Sequence, residues 1–431
     1  MNYCIIGNSA AGLFAAEELR KADPKGKITI LTADPFPSYS RCLTTYFLAG
    51  DIEEEELYLR TPEELAKLNL DIHYGCKVTE LDPEGQKVRT DTGEVFEYDR
   101  CLIATGASAV KLDLPGSTLP EVFTLRNMED AQNIKALLQP GKKAVIIGGG
   151  LVSLKSAYAL RKQGLEVHVV VSSGYILSQM LNPQAAKKLE KHLQDQGIKI
   201  ILNSDVIAIK GQEHVEGVEL NSGQTLAADL VIIGKGVRPN VEPFRYSGLK
   251  IGQGILVNEY METNLPNVYA AGDVAEAWDY LRECPRINAI WPNATEQGRI
   301  AALNMAGKKT AYEGSMGMNS VDFFGLRIIS VGIIKPPQDP QGEIDQQRDS
   351  TTWHIEEYDK LNSAGNPSYQ YLVWQGNILK GFVLLGDTKR AGILKALIQN
   401  QKPLSPELQN SVRQGKRDWY MALAHQRIKH C

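Results

Sequence analysis

Two short apolar runs, each followed at once by a glycine turn and a helical pattern, constrain this chain more than anything else in its sequence. The first predicts a strand from Tyr3 to Ile6, a tight turn Gly7-Asn8-Ser9-Ala10-Ala11-Gly12, and a helix through Leu13 to Lys21. Such a turn needs glycine at its first position for backbone conformation. It needs small residues after that, so that amides at the helix N-terminus can approach phosphates. Ser9 stands where a middle glycine is usual. A second strand is predicted from Ile28 to Leu31, and Asp34, about 20 residues past the turn, is placed to accept ribose hydroxyl hydrogen bonds. The second unit predicts a strand from Ala144 to Ile147, a turn Gly148-Gly149-Gly150-Leu151-Val152-Ser153, and a helix from Leu154 to Arg161. One such motif is weak evidence. Two, each set between a strand and a helix, imply two dinucleotide sites in an α/β chain with two Rossmann-like domains.

At 431 residues the chain has room for two to four domains. A formal charge of −4 argues against nucleic acid as a partner, and no apolar run approaches about 18 residues, so no membrane span is expected. Met1 to Gly12 is already strand and turn, which leaves no room for a signal peptide and points to a cytoplasmic protein. The six cysteines contain no Cys-x-x-Cys, which argues against a metal centre and against a two-cysteine redox disulfide. Cys4 and Cys101 fall in predicted buried strands, and Cys76 and Cys284 also read as structural. So do His73, His168 and His192, none of which has ligand spacing.

Along the chain, the acidic run Asp51 to Glu56 reads as a solvated face or a helix start, with a docking patch as the sharper alternative. A strand from Glu94 to Ala104 is expected to deliver Ala104, Thr105 and Gly106 close to a bound ligand. A helix is predicted after Asn127. In the second unit the position of the ribose acid holds Val171, followed by Ser172 and Ser173. No arginine sits beside these serines for a 2′-phosphate, which favours NAD(H) over NADP(H). A further strand from Leu230 to Gly236 ends that domain. Beyond Gly314 the pattern changes to alternating strands near Trp353 to Tyr358, Tyr369 to Gln375 and Leu379 to Leu385, the signature of an α+β domain with an antiparallel sheet. In Leu404 to Cys431, Arg413, Lys416, Arg417, Arg427 and Lys429 outnumber Glu407 and Asp418, around Trp419 and Tyr420. This stretch reads as a solvated amphipathic helix or as a surface for an acidic electron carrier.

The strand that delivers Ala271-Gly272-Asp273, taken with the earlier Gly-x-Ser-x-x-Gly and Ala-Thr-Gly motifs, resembles the FAD domain of the pyridine nucleotide-disulfide oxidoreductase superfamily over residues 1 to about 312. The resemblance implies an FAD domain in two halves (1–110 and 239–312), an inserted NAD(P) domain (111–238) and a C-terminal interface or dimerisation domain (313–431). It implies that FAD is held by Gly7, Ser9, Ala10, Ala11, Gly12, Asp34, Arg41, Cys42, Val78, Ala104, Thr105, Gly106, Gly272 and Asp273. Asp273 would bind a ribityl hydroxyl. The helix from Asn293 to Gly307 would point its N-terminus, with Ala294 and Thr295, at the flavin, and Trp291 is a candidate lid. The nicotinamide nucleotide would lie on Gly148, Gly150, Leu151, Val152, Ser153, Ser172 and Gly236.

Two branches of that superfamily overlay Ser38 to Gly50. The single-cysteine branch, with NADH oxidases, NADH peroxidases and coenzyme A-disulfide reductases, matches at Ser38, Cys42, Tyr46 and Gly50, but Leu43 and Thr45 replace its glycine and proline. The electron-transfer branch, resembling NADH:rubredoxin and ferredoxin reductases, matches at Tyr39, Ser40, Arg41, Leu43 and Tyr46, with Cys42 in place of proline. Phe323 to Leu326 and Gly386 to Gly392 resemble this second branch, and the His-Pro…Glu pair of disulfide reductases is missing. The resemblance therefore implies hydride exchange between nicotinamide and FAD, and single-electron exchange between FAD and a small iron-sulfur protein. The rivals are a Cys42 redox centre, which requires a low thiol pKa, and a flavin-binding signalling protein. Cys42 and Lys155 are the candidate catalytic side chains. Lys155 stands where both branches carry glutamate beside the nicotinamide; there a cation changes the field at the flavin or pairs with an acid such as Asp51.

Overall fold

The computed structural model describes residues 1–337, 352–361 and 367–414. They form two compact units, one of Met1–Ile176 and Leu193–Met316, the other of Leu177–His192 and the chain from Gly317 on.

Two parallel five-stranded sheets organise the first unit. One runs Val268–Ala270, Arg100–Ile103, Asn2–Ile6, Lys27–Leu31, Asp71–His73. The other runs Ile198–Ile201, Glu166–Val170, Lys143–Ile147, Leu230–Ile233, Val122–Phe123. In each, the strand before a glycine turn is central, so the turn leaves the sheet where the strand order reverses, the place where open α/β sheets bind ligands. These central strands are apolar runs, not alternations, because helices cover parallel sheets. Ile5, Ile6, Ile146 and Ile147 are almost wholly buried.

The strand expected from Glu94 to Ala104 is two strands. Val95–Glu97 pairs in a three-stranded antiparallel sheet, while Arg100–Ile103 enters the parallel sheet, the chain switching at Asp99, whose amide donates to the Asn2 carbonyl (2.8 Å). Two helices also begin earlier than the sequence suggested. Ala10–Ala22 and Leu151–Lys162 start inside their turns, so that Leu151, Val152 and Ser153 form the first helical turn of the second.

The Ala10–Ala22 helix packs on Trp291–Met305 through small residues: Ala11, Ala15, Ala294, Ala301 and Ala302 are all buried there. A Cβ on Gly12 would lie 1.9 Å from the Gly7 carbonyl oxygen, and one on Gly298 would lie 2.2 Å from that of Ala11. Both contacts are backbone to side chain and neither can yield.

In the second unit, an antiparallel sheet runs Met318–Phe323, Leu326–Gly332, Ile378–Leu385, Pro367–Gln375, Trp353–Leu361, with the Ala391–Asn400 helix packed on it. The segment Leu177–His192 belongs to this unit: Asn182 Nδ2 donates to Tyr369 Oη (2.6 Å) and Ser330 Oγ to the Met180 carbonyl (2.6 Å). Of the basic C-terminal run, Arg413 is bound to Glu356 (2.8 Å) and is not a free cation of a docking face. Lys416, Arg417, Asp418, Trp419, Tyr420, Arg427 and Lys429 lie outside the described residues. Among the described residues no helix is long and apolar enough to cross a membrane, and no cluster of metal-ligating side chains occurs.

Gly298→Ala is expected to destabilise the first unit by about 1–3 kcal/mol, the usual range for overpacking. The lowered midpoint would be read in a thermal melt; an unchanged midpoint would contradict the helix contact.

Candidate functional site

The first turn has the shape a pyrophosphate requires. Gly7 adopts φ +115°, and a Cβ there would lie 2.2 Å from the Ala104 carbonyl oxygen, so the turn and the Ala104–Gly106 segment touch backbone to backbone. Ser9 precedes the helix in an extended conformation without a side-chain cap, which leaves the first-turn amides of Ala10, Ala11 and Gly12 as donors at the positive end of the dipole. Asn8 is buried; its Oδ1 accepts from Ser38 Oγ (2.6 Å), whereas its Nδ2 has no partner. A buried amide donor without an acceptor beside an uncapped helix start fits an anionic ligand. The sequence reading passed over Asn8 and Ser38, although both lie in the motifs it used.

Asp34 is held from two sides: its Oδ2 accepts from Tyr39 Oη (2.8 Å) and from Arg41 (3.0 Å). Arg41 also donates to the Arg126 carbonyl (2.8 Å). Arg126 in turn donates to the Ala107 carbonyl (2.8 Å) and to Asp273 Oδ2 (2.9 Å). The two predicted hydroxyl-binding carboxylates thus belong to one chain of contacts running Asp34, Arg41, Arg126, Asp273. Arg126 was missed. The signal lay in its place just before Asn127, which caps the Met128–Leu137 helix through the Asp130 amide (2.7 Å) and so fixes where the arginine points.

The Thr105 hydroxyl and carbonyl are both engaged by Asn240: Thr105 Oγ1 donates to its carbonyl (3.0 Å), and Asn240 Nδ2 donates to the Thr105 carbonyl (2.8 Å). Val78 is buried in the apolar cluster with Cys4, Leu31 and Cys101. The Trp291–Met305 helix begins two residues before the predicted Asn293, so Asn293 and Ala294 lie in its first turn and Thr295 just past it, all buried, with Trp291 half-buried at its start. Gln297, also missed, accepts from the Gly272 amide (2.8 Å) and ties the Gly272-Asp273 turn to this helix.

Cys42 sits in a one-turn helix, Arg41–Leu43, and opens to solvent on one side. Desolvation on its other sides, together with the charge of Asp273, pushes the thiol above its ordinary value, with Arg126 opposing. A thiolate centre needs the reverse.

The second turn repeats the first. Gly148 adopts φ +125°, with the Gly234 carbonyl oxygen 2.3 Å from where a Cβ would be, and Gly150 precedes the helix without a side-chain cap. Ser153 Oγ donates to that same Gly234 carbonyl (3.1 Å), and Gly236 follows at an exposed position. Ser172 is exposed at the end of the neighbouring strand. Lys155 is buried, its ammonium over the rings of Tyr46 (4.0 Å) and Tyr158 (4.4 Å). Asp51 is held by Lys162 and by the Tyr158 hydroxyl (3.3 Å).

The chain belongs to the pyridine nucleotide-disulphide oxidoreductase family, which matches residues 1–298, and membership implies FAD and a pyridine nucleotide. Residues 318–402 match the rubredoxin NAD+ reductase C-terminal domain. Nitrite reductase [NAD(P)H] of Bacillus subtilis is 30% identical over 95% of this chain and 48% of its own length, so the chain spans about half of that relative. NADH oxidase of Methanocaldococcus jannaschii is 34% identical over 72% of this chain and 71% of its own. Among solved structures, the reductase of the covalent putidaredoxin reductase-putidaredoxin complex is similar, with a TM-score of 0.84 and 26% identity, covering 94% of this chain and 95% of that one.

Asp273→Ala leaves the Arg126 guanidinium without its carboxylate and takes away the acceptor expected to meet a ribityl hydroxyl. FAD affinity, measured by fluorescence titration of the deflavinated chain, is expected to fall about tenfold to a hundredfold, the value of a hydrogen bond to a charged group. For Cys42, a raised thiol pKa means a neutral group near pH 7. Its alkylation by iodoacetamide at neutral pH should be slower than that of free cysteine and should go on rising with pH beyond about 8.5, where the free thiol levels off; fast alkylation at neutral pH would contradict this.

Proposed function

We propose that the chain is an FAD-dependent NAD(P)H oxidoreductase that exchanges single electrons with a small iron-sulfur protein of the rubredoxin or ferredoxin type. The observation that carries this reading is the match of residues 318–402 to the rubredoxin reductase C-terminal domain, beside a family match over 1–298. FAD, when bound, supplies the step between two-electron hydride transfer and one-electron transfer.

The chain's own residues bind and orient. The first-turn amides of Ala10, Ala11 and Gly12 would take the pyrophosphate, and Asp34 and Asp273 the hydroxyls of the ribose and ribityl chain. The start of the Trp291–Met305 helix would bring a positive dipole end to the ring, where negative charge develops on reduction. The buried Lys155 ammonium, on the helix that follows the second turn, would orient the nicotinamide end of the second nucleotide. No side chain need form a covalent bond.

A second reading uses Cys42 as a redox centre that reduces oxygen, peroxide or a small disulfide. In its favour stand the position of Cys42 and the 34% identity to a relative named NADH oxidase. The direction of the thiol shift weighs against it. Cys42→Ser and Cys42→Ala are expected to keep turnover in NAD(P)H-dependent reduction of a ferredoxin-like acceptor within about threefold of the parent. Collapse to about 0.01 s⁻¹, far below ordinary enzyme rates, would favour the cysteine.

A further inference from the structure

A lysine from outside the second fingerprint reaches the adenosine end of the nucleotide site. The Glu166–Val170 strand is followed by Val171, which packs on the turn so closely that a Cβ at Gly149 would lie 2.6 Å from Val171 Cγ1. Ser172 and Ser173 therefore leave the sheet beside the turn, at the strand end where the substituent on the adenosine 2′-carbon is read. On the other side of the turn, the Gly234 carbonyl is fixed by its contact with Gly148 and by Ser153 Oγ. The next residue is Lys235. Its Nζ lies 3.3 Å from Ser172 Oγ and 3.3 Å from Asp205 Oδ1. The lysine side chain is only 23% exposed, that of Asp205 54%.

The chemistry at this strand end is that of a 2′-phosphate reader. Sites for NAD put a carboxylate there, which accepts from a 2′-hydroxyl and repels a phosphate. Val171 can do neither. An ammonium and a hydroxyl converging on the same point offer a phosphate both charge and donors. Asp205 opposes this, but its carboxylate is more than half exposed and is screened by solvent, and a phosphate dianion carries the greater charge.

We infer that Lys235 and Ser172 recognise the 2′-phosphate of the nucleotide, so that the chain selects NADP(H). The cation comes from a different strand than the one that normally supplies it, so the stretch after Val171 alone pointed to NAD(H). The inference rests on the reading of the Gly148–Ser153 turn as the pyridine nucleotide site.

The test is calorimetric titration of the FAD-loaded full chain with adenosine 2′,5′-bisphosphate and with AMP, which differ only in the 2′-phosphate. The bisphosphate is expected to bind at least about tenfold more tightly, a ratio equivalent to about 1.4 kcal/mol. Lys235→Gln should remove about that factor for the bisphosphate and leave AMP within about twofold; Lys235→Arg should keep the preference. Equal binding of the two ligands by the parent would overturn the inference. So would equal losses for both in Lys235→Gln, since they would put the ammonium on the phosphate the two ligands share. If neither fragment binds to a chain whose absorbance shows full flavin loading, the nucleotide-site reading itself fails; if AMP binds without a preference, only the selectivity does.

Discussion

Backbone contact between two helices and one turn sets the geometry of the first unit. Gly12 allows the Ala10–Ala22 helix to leave its strand against the Gly7 carbonyl, and Gly298 allows the Trp291–Met305 helix to lie on the Ala11 backbone. A Cβ on Gly272 would touch both helices, at Ala11 (3.1 Å) and Ala294 (3.6 Å). Two helix N-termini therefore converge on the Gly272-Asp273 turn. Each brings a partial positive charge of about half a unit, so this one place favours negative charge twice over. One added methyl at Gly12 or Gly298 would separate the helices and weaken that convergence.

Charge complementarity then links distant parts of the chain. Asp34 and Asp273 follow different strands of the first sheet, yet Arg41 and Arg126 join them, and Arg126 comes from the segment that leads into the second sheet. Asn240, returning from that sheet, closes on Thr105 and Ser108. The segment that carries the second sheet is thus pinned where it leaves the first sheet and where it returns, by hydrogen bonds of ordinary length. The same field governs Cys42. Desolvation and the charge of Asp273 both raise its proton affinity, and Arg126, the smaller influence, opposes them, so the thiol lies above its ordinary value.

Local periodicity made both strand-turn-helix units legible, because a glycine turn at a sheet's reversal point needs the same residues in any sequence. The antiparallel pattern of the second unit was readable from the alternation of its strands. Boundaries were less so. The break at Tyr98-Asp99 depends on a hydrogen bond to Asn2, and the early start of the Trp291–Met305 helix depends on Pro292, which fits a first helical turn. Arg126, Gln297 and Lys235 escaped because each acts on a residue far away in sequence: Asp273, Gly272 and Ser172. Spacing rules register neighbours along the chain, whereas these contacts exist only after two sheet edges have been brought together.

Lys155 shows how far one such contact can reach. A lysine buried on a helix must recover the solvation it loses, and Tyr46 and Tyr158 offer it two ring faces at about the distance where a cation is attracted to a π-system. Tyr46 comes from the segment that also holds Arg41 and Cys42. Tyr158 stands three residues along the lysine's own helix and gives its hydroxyl to Asp51. Lys162, one turn further, takes the same carboxylate. Asp51 thus meets Lys162 and Tyr158, while the Lys155 ammonium lies over the two rings.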